Sequence, residues 1–213
     1  MARAPAATST TCSTVVTLKI TLNGSKPPIW RRVLVSGSVT FGGLSEVILG
    51  AMGWRGGHLH DFNVDGRDYS ERGMLDDVAD ESRLTLNGVI NKGVKRFTYT
   101  YDMGDNWEHV ITIEKTETAD PAILHPHCIA GARNCPPEDS GGIWGYAELL
   151  EILADPDHPE REERLGWIDE DDFDPEDFNL ESINVHLAAV GERIGAGRGQ
   201  RYTPPTKDSD GRG

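Results

Sequence analysis

Basic side chains are in short supply in this chain: 21 Lys and Arg face 35 Asp and Glu, for a formal charge of -14 and a pI near 4.8. Affinity for a phosphate backbone comes largely from Lys and Arg, so the bulk surface is unsuited to direct nucleic-acid binding. A local patch such as Arg31, Arg32, Lys95 and Arg96 runs against this balance. Long apolar runs are missing too. No segment reaches the roughly 20 residues of a membrane span, and the N-terminal Met1 to Pro5, followed by Thr and Ser, lacks the apolar centre of a secretory signal. We therefore expect a cytoplasmic protein with no membrane partner. Cysteine is scarce, with three in 213 residues. Cys12 stands near the terminus, whereas Cys128 and Cys135 lie close together, and a reducing compartment keeps them as thiols unless a metal or redox chemistry claims them. P-loop, dinucleotide, kinase, nucleophile-elbow and two-His metalloprotease signatures are all absent, and no internal repeat is found.

The length suits a single unit with a real core. Residues 1–13 are small and polar and predict a disordered arm, 14–192 a single domain, and 193–213 a flexible tail rich in Gly, Pro and charge. Within the domain, Thr14 to Leu22 and Trp30 to Val35 alternate as strands. On the second, alternation puts Trp30 in the core and Arg31 in solvent, unless Trp30 to Val33 carries a site. Thr40 caps a helix with apolar positions Leu44, Val47, Ile48, Ala51 and Met52, closed by Gly53. A strand follows to Asp65-Gly66, a hairpin turn to Arg67–Ser70. Glu71 to Ser82 predicts no element, and 83–90 is of mixed character. Lys95 to Glu114 reads as a hairpin, Thr116 to Ile143 as an irregular loop, and Tyr146 to Leu153 as an amphipathic helix. Glu160 to Leu165 suggests a helical turn, and Asp169 to Asp172 a solvated acidic run. A last helix is predicted to start at Asp174 as N-cap, with Phe173 and Phe178 as a staple and Gly191 as its close. This order predicts α+β architecture, a mainly antiparallel sheet with helices packed on one face.

The hairpin tip, Asp102-Met103-Gly104-Asp105-Asn106, is chemically loaded. Alternation places Phe97, Tyr99 and Tyr101 on one face, and Trp107, His109, Ile111 and Ile113 on one face of the return strand. His109 is then either a pocket imidazole or metal ligand, or a core histidine satisfied by the backbone or an Asp. Asp102 and Asp105 either serve a site or cap the turn. Cys128 and Cys135 with two of His58, His60, His109, His125 and His127 would make a metal site, for which His60, His109, Cys128 and Cys135 are the candidate ligands and zinc the candidate metal. Cys135 to Gly142 leads into the Tyr146 helix as an anion cradle or as a structural lead-in; Glu138 and Asp139 argue against the cradle. These two with Asp102, Asp105 and Glu108 are alternatively an acid-base pair or a hard-cation site. The candidate ligand-binding set is Trp30, Arg31, Asp102, Asp105, Trp107, Glu108, His109, Glu138, Asp139 and Tyr146.

Leu18-Lys19-Ile20, Pro28 to Arg32, Ala51 to Trp54, His58 to Phe62, Tyr101 to His109, Cys135 to Asp139 with Gly141-Gly142, and Gly145-Tyr146 occur in an order that resembles the plasmid pRiA4b ORF-3-like family. The resemblance covers roughly 14–187. It implies an α+β domain, with some members labelled as passengers or resolvase-like factors of insertion sequences, and carries no catalytic residue over. Met103 and Asn106 stand where an aromatic and a Gly are expected, and Ser140 where many relatives have a Cys. Three functions follow: a cytoplasmic binding or accessory module, associated with a mobile element, with a pocket at the hairpin tip for a small ligand or protein partner; a metal-dependent enzyme acting on nucleic acid or a phosphorylated substrate; and an interaction domain without a small-molecule site.

Overall fold

The computed structural model describes residues 13–75, 77–119, 126–168 and 173–196. Residues 1–12 of the expected arm, the tail beyond residue 196, His125 and the acidic run 169–172 lie outside the described residues, whereas Ser13 opens the first strand and 193–196, expected in the tail, continue the last helix. Eight strands form one sheet in the order β5-β4-β3-β6-β7-β1-β2-β8. They are β1 (Ser13–Leu22), β2 (Trp30–Ser36), β3 (His60–Val64), β4 (Arg67–Ser70), β5 (Ala79–Asp80), β6 (Arg96–Tyr101), β7 (Trp107–Ala119) and β8 (His127–Ala132). Every pairing is antiparallel except the two-residue β4–β5 match. Five helices accompany it: α1 (Phe41–Met52), α2 (Leu86–Asn91), α3 (Gly142–Ala154), α4 (Arg161–Ile168) and α5 (Leu180–Ala196). The fold is α+β, as expected.

The period-2 pattern of the strands builds the core. Val16, Leu18, Ile20 and Leu22 of β1, Phe97, Tyr99 and Tyr101 of β6, and Trp107, His109, Ile111 and Ile113 of β7 share a buried face. α1 closes that face with Phe41, Leu44, Val47, Ile48 and Ala51, and α5 adds Ile183, Leu187 and Val190. Thr40 Oγ1 accepts from Gly43 N–H at 3.3 Å, and Gly53 ends α1 in the left-handed region at φ 84°, the two caps read from the residues.

β2 overturns one expectation. Arg31 shares a face with Val33 and Val35, and that pair decides the register, so Arg31 is the buried residue at 2 % exposure and Trp30 is half-buried on the other face. There the Trp30 ring lies 5.0 Å from Lys19 Nζ and 5.1 Å from the Arg32 guanidinium. Arg32 also forms a double contact with Glu114, at 2.6 and 2.9 Å. With Arg31 inside and Arg32 neutralised, the basic patch is reduced to Lys95 and Arg96.

Four local readings are corrected. The segment 116–143 holds the end of β7 and all of β8, ordered by pairing with β2. The segment 71–82 holds β5 and leads into a 3-10 turn, Glu81–Arg83, that buries Glu81. Asp174 begins a turn: its carboxylate accepts from Glu176 N–H at 2.8 Å and its carbonyl from Asp177 N–H at 3.2 Å. α5 starts six residues later, capped by Asn179, whose side chain accepts from Ser182 N–H at 2.9 Å. Tertiary contacts hold the turn open, because Pro175 O accepts from Asn134 N–H at 3.1 Å and Glu176 pairs with Arg133. Gly191 lies inside α5, which runs on to Ala196.

β8 is an edge of the sheet, and α5 covers it. Asn184 accepts from Cys128 N–H at 2.8 Å and donates to Cys128 O at 3.0 Å, so one amide side chain substitutes for a neighbouring strand.

Candidate functional site

The β6–β7 hairpin closes on the Tyr101–Trp107 pair. Asp102 and Asn106 adopt φ of 56° and 55°, a left-handed geometry that Asp and Asn tolerate. Asp102 Oδ1 accepts from Gly104 N–H at 2.9 Å, so one oxygen of this carboxylate is spent on the turn. The other, Oδ2, lies 3.5 Å from His58 Nδ1, and His58 Nε2 is 3.5 Å from Asp139 Oδ1. Among the described residues, His58, Asp102 and Asp139 are the set of three ligating side chains whose atoms lie within 4.8 Å of one another.

The loop from Cys135 to Gly142 faces this tip. Asp105 Oδ2 accepts from Gly141 N–H at 3.1 Å. Gly142 has φ 67°, and a Cβ there would lie 2.2 Å from Asp105 O, so the glycines ahead of α3 allow the hairpin backbone to approach. That supports the structural lead-in over the anion cradle. Glu138 is held from two sides, accepting from Tyr101 Oη–H at 2.8 Å and from Arg55 N–H at 3.0 Å. Burial and the Glu138 carboxylate keep the Tyr101 phenol protonated far above neutral pH. The Trp54 indole N–H donates to Pro136 O at 2.8 Å, and its ring stacks on Tyr101 at 5.4 Å.

The rest of the expected set lies apart from this contact. Trp107 and His109 are sealed beneath it at 1 % and 0 % exposure. His109 packs edge-on against Trp54 at 5.3 Å, and neither ring nitrogen has a hydrogen-bond partner among the described residues. Burial pushes its pKa down to about 4, so the imidazole is neutral at pH 7. It is a core histidine, without the Asp partner that was one expectation. Glu108 instead accepts from Asn23 Nδ2 at 2.5 Å. Tyr146 is buried, which pushes its phenol up to about 12.

The expected metal ligands are dispersed. His60 Nε2 pairs with Glu81 Oε2 at 3.0 Å, Cys135 Sγ lies 3.6 Å from Met52 Sδ, and Cys128 Sγ bonds Ala130 O at 3.4 Å. Both cysteines are free and buried, and burial pushes the Cys135 thiol up to about 11, which opposes the thiolate that zinc requires.

Arg31 Nε donates to Ala51 O at 3.1 Å at the C-terminal end of α1, Nη1 to Trp30 O at 2.9 Å and Ala132 O at 3.0 Å, and Nη2 to Cys135 Sγ at 3.0 Å. Phe178 lies 5.1 Å from the guanidinium. Arg31, Glu138 and Asp139 line a cleft of about 720 Å³ whose walls include Trp54, Trp167 and Phe178. A second cleft, of about 1030 Å³, shares Trp54, Arg55 and His186 with the first and reaches His58, His60 and Glu81. Sequence reasoning passed over Phe178 as a cleft wall and Glu81 as the partner of His60, and nothing local marks either.

A sheet roofed on one face by two helices, with a hairpin tip locked to a glycine-rich loop beside a charged cleft, defines an α+β fold. The chain belongs to the plasmid pRiA4b ORF-3-like protein family, whose model matches residues 14–182. It is 39 % identical over 175 residues to the uncharacterized protein y4hQ of Sinorhizobium fredii (strain NBRC 101917 / NGR234), across 81 % of this chain and 90 % of that one. It is also similar to the crystal structure of a protein of unknown function, MM3350 from Methanosarcina mazei Go1. There the TM-score is 0.74 and the identity 38 %, over 80 % of this chain and 98 % of the other. Among the described residues, no helix is long and apolar enough to cross a membrane.

Proposed function

We propose that this protein is a cytoplasmic binding or accessory module, one unit over 14–192, whose small ligand occupies the cleft bounded by Arg31, Trp54, Glu138, Asp139 and Trp167. The observation that carries this reading is the convergence of Arg31, Glu138 and Asp139 on one mainly polar cleft whose walls include Trp54, Trp167 and Phe178, a concave site in which charged groups can orient a ligand against aromatic surface. A family described from a plasmid reading frame supports an accessory role on a mobile element. The test is a metabolite panel read by melting temperature and calorimetry. Wild type is expected to bind a panel member, and Glu138→Gln and Trp167→Ala to lose that binding with their own melting temperatures within a few degrees of wild type. If no member binds, the domain is an interaction module without a small-molecule site.

His58, Asp102 and Asp139 favour a second reading, a divalent-cation site of one imidazole and two carboxylates serving a metal-dependent enzyme on a phosphorylated substrate or nucleic acid. This set replaces the dispersed His60, His109, Cys128 and Cys135. Elemental analysis of untagged protein and titration with manganese and zinc test it. Stoichiometric metal that is lost in His58→Ala supports it, and no metal in either protein ends it.

A further inference from the structure

We propose that the ligand of this cleft is dipolar, with a carboxylate or phosphate group that meets Arg31 at one end and a cationic group that meets the rim carboxylates at the other. This rests on the reading of the cleft as a binding site and names the chemistry of its occupant.

Arg31 carries a buried charge in the wall of this cleft. Its guanidinium is permanently cationic and 2 % exposed, yet among the described residues it pairs with no carboxylate, whereas Arg32, Arg83, Arg133, Arg164 and Arg193 all do. Its partners are three carbonyls, a thiol and an aromatic ring. The Cys135 thiol stays neutral at physiological pH, because burial raises it, and supplies no counter-charge. The end of α1 offers only the partial negative charge of a helix C-terminus. Four of the five guanidinium N–H groups are engaged, leaving one Nη2–H without a partner among the described residues. A buried, uncompensated cation in the wall of a cleft is a site for an anionic oxygen group.

A simple anion does not suit the rest of the cleft. Asp139, Asp174 and Asp177 are exposed on its lining and Glu138 is half-buried there, against the exposed Arg55, so a lone carboxylate or phosphate approaches four like charges with one exposed guanidinium to offset them. A cationic group at the far end of the ligand turns that repulsion into attraction. Trp54 and Trp167 provide apolar wall for the chain that joins the two groups.

Calorimetry with three six-carbon probes separates the contributions: 6-aminohexanoate carries both charges, hexanoate only the anion, and hexylamine only the cation. Phosphoethanolamine is a dipolar phosphate, and its affinity relative to 4-aminobutanoate, which has the same number of atoms between its charged groups, tells which anionic head is preferred. We expect a dipolar probe to bind at least tenfold tighter than hexylamine. Asp139→Asn combined with Asp177→Asn should tighten hexanoate about threefold and weaken the dipolar probe by a similar factor, an opposite-signed pair of shifts that general destabilisation does not produce. Arg31→Met should weaken hexanoate at least tenfold. If that variant does not fold, the exposed double variant decides. Equal or tighter binding of hexylamine, shifts of the same sign in the double variant, or retention of hexanoate by folded Arg31→Met overturns the proposal. Binding of hexylamine alone sinks the dipolar ligand and leaves the cleft as a binding site. If no probe binds, the dipolar ligand is rejected and the metabolite panel judges the cleft separately.

Discussion

Asp105 Oδ2 accepts a hydrogen bond from the backbone N–H of Gly141 at 3.1 Å, tying the tip of the β6–β7 hairpin to the start of α3. The contact is close enough that residue 142 has no room for a side chain: a Cβ there would fall 2.2 Å from Asp105 O, at a φ of 67° that L residues rarely adopt. Gly142→Ala is therefore expected to destabilise the fold by roughly 2–4 kcal/mol, combining backbone strain with a steric clash. Urea denaturation measures it, and a loss below about 1 kcal/mol would show that the tip and the loop separate readily.

The buried His109 gives a pH signature. Its folded pKa of about 4 lies below its ordinary value of 6.5, so between these values the unfolded chain binds more protons and stability rises with pH. The stability in question is fully present above pH 6.5 and is lost as pH falls toward 4, to a total of roughly 3 kcal/mol. His109→Leu removes this dependence and leaves no unsatisfied nitrogen in the core. The difference between wild type and variant, followed by denaturation from pH 7 to 4, should therefore widen as the pH drops; parallel curves would refute the neutral-core assignment.

Asn184 stands in for a missing strand at the β8 edge. Asn184→Ala removes two hydrogen bonds to the Cys128 backbone and is expected to cost about 1–3 kcal/mol. Amide exchange at Cys128 should accelerate by at least tenfold, while exchange at Leu18 in the sheet centre follows only the global loss.

The true start of α5 is open to a direct comparison. Asn179→Ala removes the side-chain cap and should lower stability by about 1 kcal/mol. Asp174→Ala, at the position that local reasoning favours as the cap, should cost less than half of that, since it loosens only a surface turn. The reverse order in thermal or chemical denaturation would restore the earlier start.

What was legible and what was not divides along contact range. Thr40 and Gly53 mark α1 correctly because capping depends on neighbours three and four residues away, and the alternation of Trp107, His109 and Ile111 marks a face because the pleat repeats every two residues. Asp174-Pro175 carried an equally good local cap signal and failed, since Asn134 and Arg133 hold the segment as a turn. Trp30 misleads for a related reason: alternation counted from Trp30 gives one register, and the buried pair Val33 and Val35 imposes the other. Cys128 and Cys135 suggested a metal by proximity along the chain, and their burial beside Arg31, Met52 and Ala130 O could not be read from spacing.

The residues alone determined the α+β class, the hairpin with its acidic tip and the family, because strand period, turn chemistry and motif order are all properties of neighbouring positions. Only the tertiary structure decided that His58 joins Asp102 and Asp139, that Glu138 bridges Tyr101 and Arg55, and that Arg31 lies buried without a carboxylate among the described residues. Those outcomes depend on which distant segments the sheet and its helices bring together, and on the burial that this packing imposes on charge.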